Sequence, residues 1–423
     1  MTTQKIRELS EKFLPEVTKI RHQLHMQPEL AYEEHRTSRL IQETLASIGI
    51  PYTSGLAGTG VIGIIEGPVA GKTVMLRADM DALPVQENTG LEYSSQVENK
   101  MHACGHDGHV SGLLGAAMIL NELRDQIHGK VKLVFQPAEE VTNSGAAQMI
   151  RAGALENPHV DAAFGCHLWG ELKEGIAQVF PGPMMAACVD FKFTILGRGG
   201  HGALPHLTLD PISMGAQAIT YIQNIISRRT DPMETAVLTI GSIHGGETGN
   251  VIPDKLEAEG MIRTFNEQVG ERIIKDIENI LKGITQSQNA NYKFEYDKVS
   301  PAVINDPKLA ELATRSFTEL FGKERVEVIP KPTMVSEDFS HYGTFIPSMF
   351  IFIGIAKDGK VPILHHNPKF QWEDKNLSMV SAGFAKIAID YLDETWDKKG
   401  GEAENQSCIK TQIEVNDWTV DPA

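Results

Sequence analysis

Side chains able to hold a metal or move a proton gather at a few places along this 423-residue chain. The segment MHACGHDGH puts His102, Cys104, His106, Asp107 and His109 within eight residues. RADMDALPVQE supplies Asp79 and Asp81, FQPAEE supplies Glu139 and Glu140, GCHLWG supplies His167, and LHHNPKF supplies the adjacent His365 and His366. Thiolate, imidazole and carboxylate in one set suit zinc or another borderline divalent ion, and suit magnesium or calcium poorly. A Cys-x-His spacing is not that of a zinc finger, so such a site has to be assembled by the fold. Each histidine taken alone is more readily a structural residue, but five clusters at the ends of apolar runs together point to a divalent-metal centre. In the Glu139-Glu140 pair, neighbours on an extended chain point in opposite directions. One carboxylate is then expected on the metal while its neighbour holds a water. A metal lowers the pKa of such a water to about 7, and the free carboxylate can take its proton.

These clusters need a scaffold that brings distant stretches together, and the apolar pattern predicts one. Two helices open the chain, the first with Ile6, Leu9, Phe13, Val17 and Ile20 at spacings of three and four, the second through Leu40, Ile41, Leu45 and Ile48. Short apolar runs then alternate with helical patterns, which predicts an α/β fold with a mostly parallel central sheet flanked by helices. Strands are expected at 61–67, 73–79, 130–137, 161–168 and 348–355, and helices at 108–124, 307–321 and 376–393. In open α/β sheets ligands bind beyond the carboxyl ends of the strands. The acids and His167 are expected there.

Between residues 187 and 300 the pattern changes to β-α-β-β-α-β, which predicts a smaller inserted α+β domain. The expected organisation is a catalytic domain made of 1–186 and 301–395, the insert at 187–300, and a poorly ordered tail at 396–423. In the insert, GRGGHGALPH exposes His201 on a small-residue loop, where an imidazole can donate to an oxyanion or simply decorate a hairpin tip. Asn250, in GGETGNVIPD, suits a substrate contact or a left-handed turn. Arg263 suits a substrate carboxylate or a neighbouring acid. The residues alone leave those last two unassigned.

Asp plus Glu number 55 against 39 Lys plus Arg, a formal net charge of −16 that argues against a nucleic-acid or anionic-membrane partner. No apolar run reaches the ~18 residues of a membrane-spanning helix. The charged start MTTQKIRELSEKF lacks the apolar core of a secretory signal. Only Cys104, Cys166, Cys188 and Cys408 occur, too scattered for a disulfide framework, so a cytoplasmic location is expected. The glycine-rich loops of nucleotide binders and the HExxH and GxSxG motifs are absent, which disfavours those enzyme classes.

Eight motifs in order, RADMDALPVQE, MHACGHDGH, FQPAEE, GCHLWG, GRGGHGALPH, GETGNVIPD, SEDF and LHHNPKF, resemble the amidohydrolase branch of the metallopeptidase family that includes aminoacylase and glutamate carboxypeptidase. HQLHMQPELAYEE is similar to that family's N-terminal signature. The resemblance implies a zinc-exopeptidase-like catalytic domain that cleaves the amide bond of N-acyl amino acids or similar conjugates. It implies Cys104, His106, Glu140, His167 and a histidine of LHHNP as ligands of one or two divalent ions (zinc, manganese, nickel or cobalt). The family's His-x-Pro pattern favours His366, with His365 left open. The resemblance further implies Glu139 as general base, Asp81 as the acid supporting the metal centre, and His201, Asn250 and Arg263 as residues that bind the substrate carboxylate or oxyanion. A homodimer or higher homo-oligomer through the inserted domain is also implied. Val335 stands where the family usually has glycine before Ser-Glu-Asp-Phe, which leaves substrate preference open. A dipeptidase or carboxypeptidase using the same centre is the near alternative. A metal-stabilised binding protein without turnover is the distant one, and it would be expected to show a damaged base or ligand.

Overall fold

The computed structural model describes residues 2–357 and 363–397. Cys408 and nearly all of the tail expected at 396–423 lie outside the described residues. Two compact units form, one from Met1–Ala187 with Ser300–Thr395, the other built on Cys188–Val299. The larger unit opens with α1 (Thr2–Met26) and α2 (His35–Ser47), then β1 (Tyr52–Leu56), β2 (Gly60–Glu66), β3 (Val69–Asp79) and α3 (His106–Glu122). It continues through β4 (His128–Gln136), α4 (Gly145–Arg151), β5 (Ala162–Lys173), β6 (Ala177–Gln178) and β7 (Gly182–Met185). The smaller unit follows with β8 (Ala187–Leu196), β9 (Gly200–His201), α5 (Pro211–Arg229), β10 (Ala236–His244), β11 (Val251–Ile252), β12 (Lys255–Thr264), α6 (Glu267–Ser287) and β13 (Asn291–Ser300). The chain then returns to the larger unit with β14 (Val303–Asn305), α7 (Pro307–Phe321), β15 (Val326–Glu327), α8 (Ser340–Gly343), β16 (Ser348–Ala356) and α9 (Asn376–Asp397).

In the larger unit eight strands lie in the order β1-β2-β4-β3-β5-β16-β6-β15. The centre, β4-β3-β5-β16, is parallel. Antiparallel pairings attach β1, β2 and β6 to it. Central parallel strands are covered on both faces and therefore read as unbroken apolar runs, as Val74, Met75, Leu76 and Ala78 do in β3. The helix α3 is buried along most of its length through Val110, Leu113, Leu114, Ala117 and Leu120. A Cβ at Gly112 would lie 2.4 Å from Val380 Cγ1, so glycine there lets α9 pack closely against it.

Two expected boundaries shift with consequence. The third helix starts at His106, two residues early, because Gly105 takes a left-handed conformation (φ +89°) as its N-cap. That turn puts His106 and His109 on the first helical turn. The expected strand at 161–168 runs on to Lys173, because β5 stays paired with β16 as far as Ala356↔Lys173. His167 therefore lies within β5 and not at its exit.

In the smaller unit the sheet order is β10-β12-β8-β13, with β10 and β12 antiparallel. Phe191, Phe193, Met214, Ile222, Ile273 and Ile277 pack between that sheet and α5 and α6. The start of α5 follows local rules: Asp210 accepts from the Ile212 and Ser213 N–H groups, and Pro211 fills the first helical position. No described helix is long and apolar enough to cross a membrane.

Candidate metal centre

The site lies in the larger unit, beyond the carboxyl ends of β3 and β4. After β4 the chain turns through Ala138, whose φ of +55° is left-handed. Glu139 and Glu140 then stand on a bend and not on the extended chain expected from their adjacency. Asp81, just past the end of β3, fixes that bend: its Oδ1 accepts the Glu139 N–H and its Oδ2 the Glu140 N–H, each at 3.0 Å. The two carboxylates consequently do not diverge. One oxygen of each, together with a ring nitrogen of His106, falls within 4.8 Å of the others.

The donors assemble around this bend. Cys104 Sγ is 3.4 Å from His167 Nε2. The other ring nitrogen of His167 donates to the Leu168 carbonyl at 2.8 Å, which leaves the Nε2 lone pair facing the thiol. Burial, followed by His109 and His365, drives the His167 pKa well down, so the ring is neutral, the form that ligates. His366 Nε2 lies 3.2 Å from Glu140 Oε1, and the His366 N–H donates to the Ala103 carbonyl beside Cys104. His365 is used differently: its Nε2 donates to the Leu168 carbonyl at 2.7 Å, and its ring lies against Trp169 and Phe370. His109 is also committed elsewhere, with Nδ1 donating to Asp79 at 2.6 Å and Nε2 accepting the Leu168 N–H at 3.0 Å. Having spent both nitrogens, it orients the site and does not offer a donor to it.

Behind the donors is an ionic layer that sequence reasoning did not assign. Arg77, fully buried, donates to Asp79 and Asp338 at 2.7 Å each and to Gln136 at 2.9 Å, and lies 3.0 Å from Glu337. Asp338 also accepts from Gln136, Ser144 and the Ala146 N–H. The Asp338 N–H reaches Glu139 Oε1 at 3.4 Å. The period-two run Arg77-x-Asp79-x-Asp81 was the available signal for part of this layer; Glu337 and Asp338 were visible only as the SEDF motif.

The residues fit a divalent cation. His106 and Glu140 Oε1 are buried with weak pairing among the described residues: His106 Nδ1 has only Asp81 Oδ1 at 3.4 Å, His106 Nε2 makes no hydrogen bond, and Glu140 Oε1 meets only His366 Nε2 at 3.2 Å, a set that a metal would satisfy better. Electrostatics points the same way. Burial, with Glu337, Glu140 and Asp338 nearby, pushes the Glu139 carboxyl well above the usual range. Burial with Glu140 and Glu139 does the same to the Cys104 thiol. Burial alone would depress His106, but Asp79 and Asp81 outweigh it and raise it to about 10. Carboxylates in excess of cations are what a bound ion would offset. The donors fall into overlapping groups, Cys104 with His106 and His167, and Cys104 with Glu140 and His366.

The remaining expected residues belong to the smaller unit. His201 on β9 pairs with Val251 on β11, and the Gly202 N–H donates to the Asn250 carbonyl at 2.8 Å, so His201 and Asn250 share one exposed ribbon. The Ala203 N–H donates to His201 Nδ1 at 3.0 Å, so in the neutral ring the proton sits on Nε2. Arg263 lies on β12 opposite Val237, in the other sheet of that unit.

Comparison with known proteins agrees with this chemistry. The family model described as Peptidase family M20/M25/M40 matches residues 75–389. An N-acyl-L-amino acid amidohydrolase of Geobacillus stearothermophilus is 42% identical over 305 residues, 72% of this chain and 82% of that protein. A hippurate hydrolase of Campylobacter jejuni is 36% identical over 380 residues, 89% of this chain and 97% of that protein. A Bacillus subtilis structure described as a dinuclear metal-binding peptidase of the same family superposes with a TM-score of 0.79 at 33% identity, covering 91% of this chain and 99% of its own. With the family model matched over residues 75–389 and relatives of 36–42% identity over most of the chain, the chain belongs to peptidase family M20/M25/M40 and is a metal-dependent amide hydrolase.

Proposed function

We propose that the chain hydrolyses the amide bond of N-acyl amino acids, with Glu139 as general base and Cys104, His106, Glu140, His167 and His366 as ligands. The observation that carries the reading is the Glu139-Glu140 bend: both half-buried carboxylates lie beside His106, Glu140 alone of the two also falls in with Cys104 and His366, and Asp81 holds both backbone N–H groups. A bound divalent ion would supply Lewis acidity and lower the pKa of a coordinated water. Glu139 takes a proton from the attacking water and returns it to the leaving amine, while the Asp338 N–H holds its carboxylate in place. The sharing of Cys104 between two donor groups supports two ions, and the mixture of sulfur, nitrogen and oxygen supports zinc, manganese, nickel or cobalt. His201, Asn250 and Arg263 are the proposed substrate-binding residues of the smaller unit, which is also the proposed site of homodimerisation. The described cysteines, Cys104, Cys166 and Cys188, are buried and not joined in a disulfide, which supports a cytoplasmic location.

The test is Glu139→Gln, assayed on a panel of N-acetyl and N-benzoyl amino acids with dipeptides alongside. Metal content should stay at the wild-type level while kcat falls about 10²–10⁴-fold. Undiminished turnover would remove Glu139 from the mechanism. Preference for dipeptides would replace the N-acyl substrate by a peptide.

A further inference from the structure

The N-terminal signature HQLHMQPELAYEE has no part in the chemistry described so far, yet its last residues reach the loop that carries the base. Glu34 has no exposed surface, and a buried carboxylate is retained only where its oxygens are paired. Its Oε1 accepts the N–H of Ala138 at 3.0 Å and its Oε2 the hydroxyl of Thr59 at 2.7 Å. Ala138 is the residue before Glu139 and is held at φ +55°, a conformation alanine does not prefer. Two residues before Glu34, the Tyr32 hydroxyl donates to the Asn143 carbonyl at the far end of the same loop. Glu29 and Leu30 fasten the other strand exit: the Ala82 N–H, next to Asp81, donates to the Glu29 carbonyl at 2.8 Å, and Leu30 bridges Ala82. A short segment of chain thus grips both loops whose relative position sets the Asp81–Glu139–Glu140 geometry.

We propose that Glu34 is a positioning residue for hydrolysis: by holding the Ala138 N–H it keeps the left-handed turn that aims Glu139. The inference rests on the reading of Glu139 as base. Glu34→Ala frees the Ala138 N–H and lets the turn relax. Displacement of a base by a fraction of an ångström to 1 Å costs about tenfold to a hundredfold in rate. The loss should fall in kcat, with KM within about threefold and metal content unchanged, because no substrate atom is removed. Glu34→Gln keeps an oxygen for Ala138 while the Thr59 hydroxyl turns to accept from the new amide, so it should recover most of the lost kcat. Thr59→Val removes the other partner of Glu34; it should lower the melting temperature and leave kcat within about twofold.

The experiment is steady-state kinetics, metal analysis and melting curves on these three variants and Glu139→Gln. A Glu34→Ala kcat near wild type, with Glu139→Gln inactive, overturns the positioning role and spares the base. An equal kcat loss in Thr59→Val and Glu34→Ala, or a loss confined to KM or metal content, also overturns it. An active Glu139→Gln removes the base and the positioning role together.

Discussion

Replacing Asp81 by asparagine separates geometry from charge at this site. Asp81 is buried, and its two oxygens each accept one backbone N–H at 3.0 Å, from Glu139 and from Glu140. Its Oδ1 is also 3.4 Å from His106 Nδ1. An asparagine carries one acceptor oxygen, and the His106 side is where that oxygen is favoured. The amide nitrogen is then set against the Glu140 N–H, donor against donor. One charge-assisted hydrogen bond is lost, about 1.5–3 kcal/mol. At about 1.4 kcal/mol per decade this is ~10–150-fold in kcat, if the displaced bend is what the transition state feels. The Glu140 side moves most, so apparent metal affinity should weaken too, in the ~10–100-fold range found when a ligand's supporting partner is removed. The assay is hydrolysis of N-acetylmethionine over a metal titration. Saturating metal should restore occupancy and only part of kcat. If Asp81→Asn turns over within about twofold of wild type at equal metal occupancy, the two N–H contacts do not set the position of the pair.

Two further outcomes follow from groups away from the donors. Burial would lower His25, but Asp107, 2.9 Å from its Nδ1, and Glu87, 3.3 Å from its Nε2, outweigh that and the opposing Arg21, raising it to about 9 from 6.5. A raised folded-state pKa means stability that is complete below about pH 6.5 and lost as pH climbs through 9. The stability difference between wild type and His25→Gln, from denaturant titrations, should shrink across that window by at most ~3 kcal/mol; a difference independent of pH would contradict the pairing. Lys132, buried on β4, donates its ammonium to the carbonyls of Ala154, Glu156 and Pro158 at 3.0, 2.8 and 2.7 Å. Lys132→Met removes the donor of three carbonyls, in a buried bond to Ala154 and part-buried bonds to Glu156 and Pro158, roughly 1–3 kcal/mol in all, so the melting temperature should drop by about 2–5 °C with kcat unaffected; an unshifted melting curve would show the carbonyls find other donors.

Much of the scaffold was legible because its signals are local. The helix expected at 307–321 is α7, Pro307–Phe321, since Asp306 caps it through the Lys308 and Leu309 N–H groups and Pro307 begins it. That thiol, imidazole and paired acids would gather was legible because they are uncommon types clustered in a few loops, and Cys104, His106, Glu140 and His366 do come together, with His167 reaching them from inside β5. What failed depends on distant partners. The extra length of β5, which moves His167 inside the strand, exists only through its pairing with β16. The Arg77–Asp338 contact joins residues 261 apart, with nothing in either local sequence to announce the other. The bend at Glu139 has a deeper cause. It is set by the N–H groups of Ala138, Glu139 and Glu140 seeking the carboxylates of Glu34 and Asp81, and every residue but proline carries such a group. A sequence identifies the carboxylates that can accept and is silent on which of several hundred identical donors they choose. The identity of the site's atoms is therefore written in side chains, while their aim is written in backbone contacts that only folding selects.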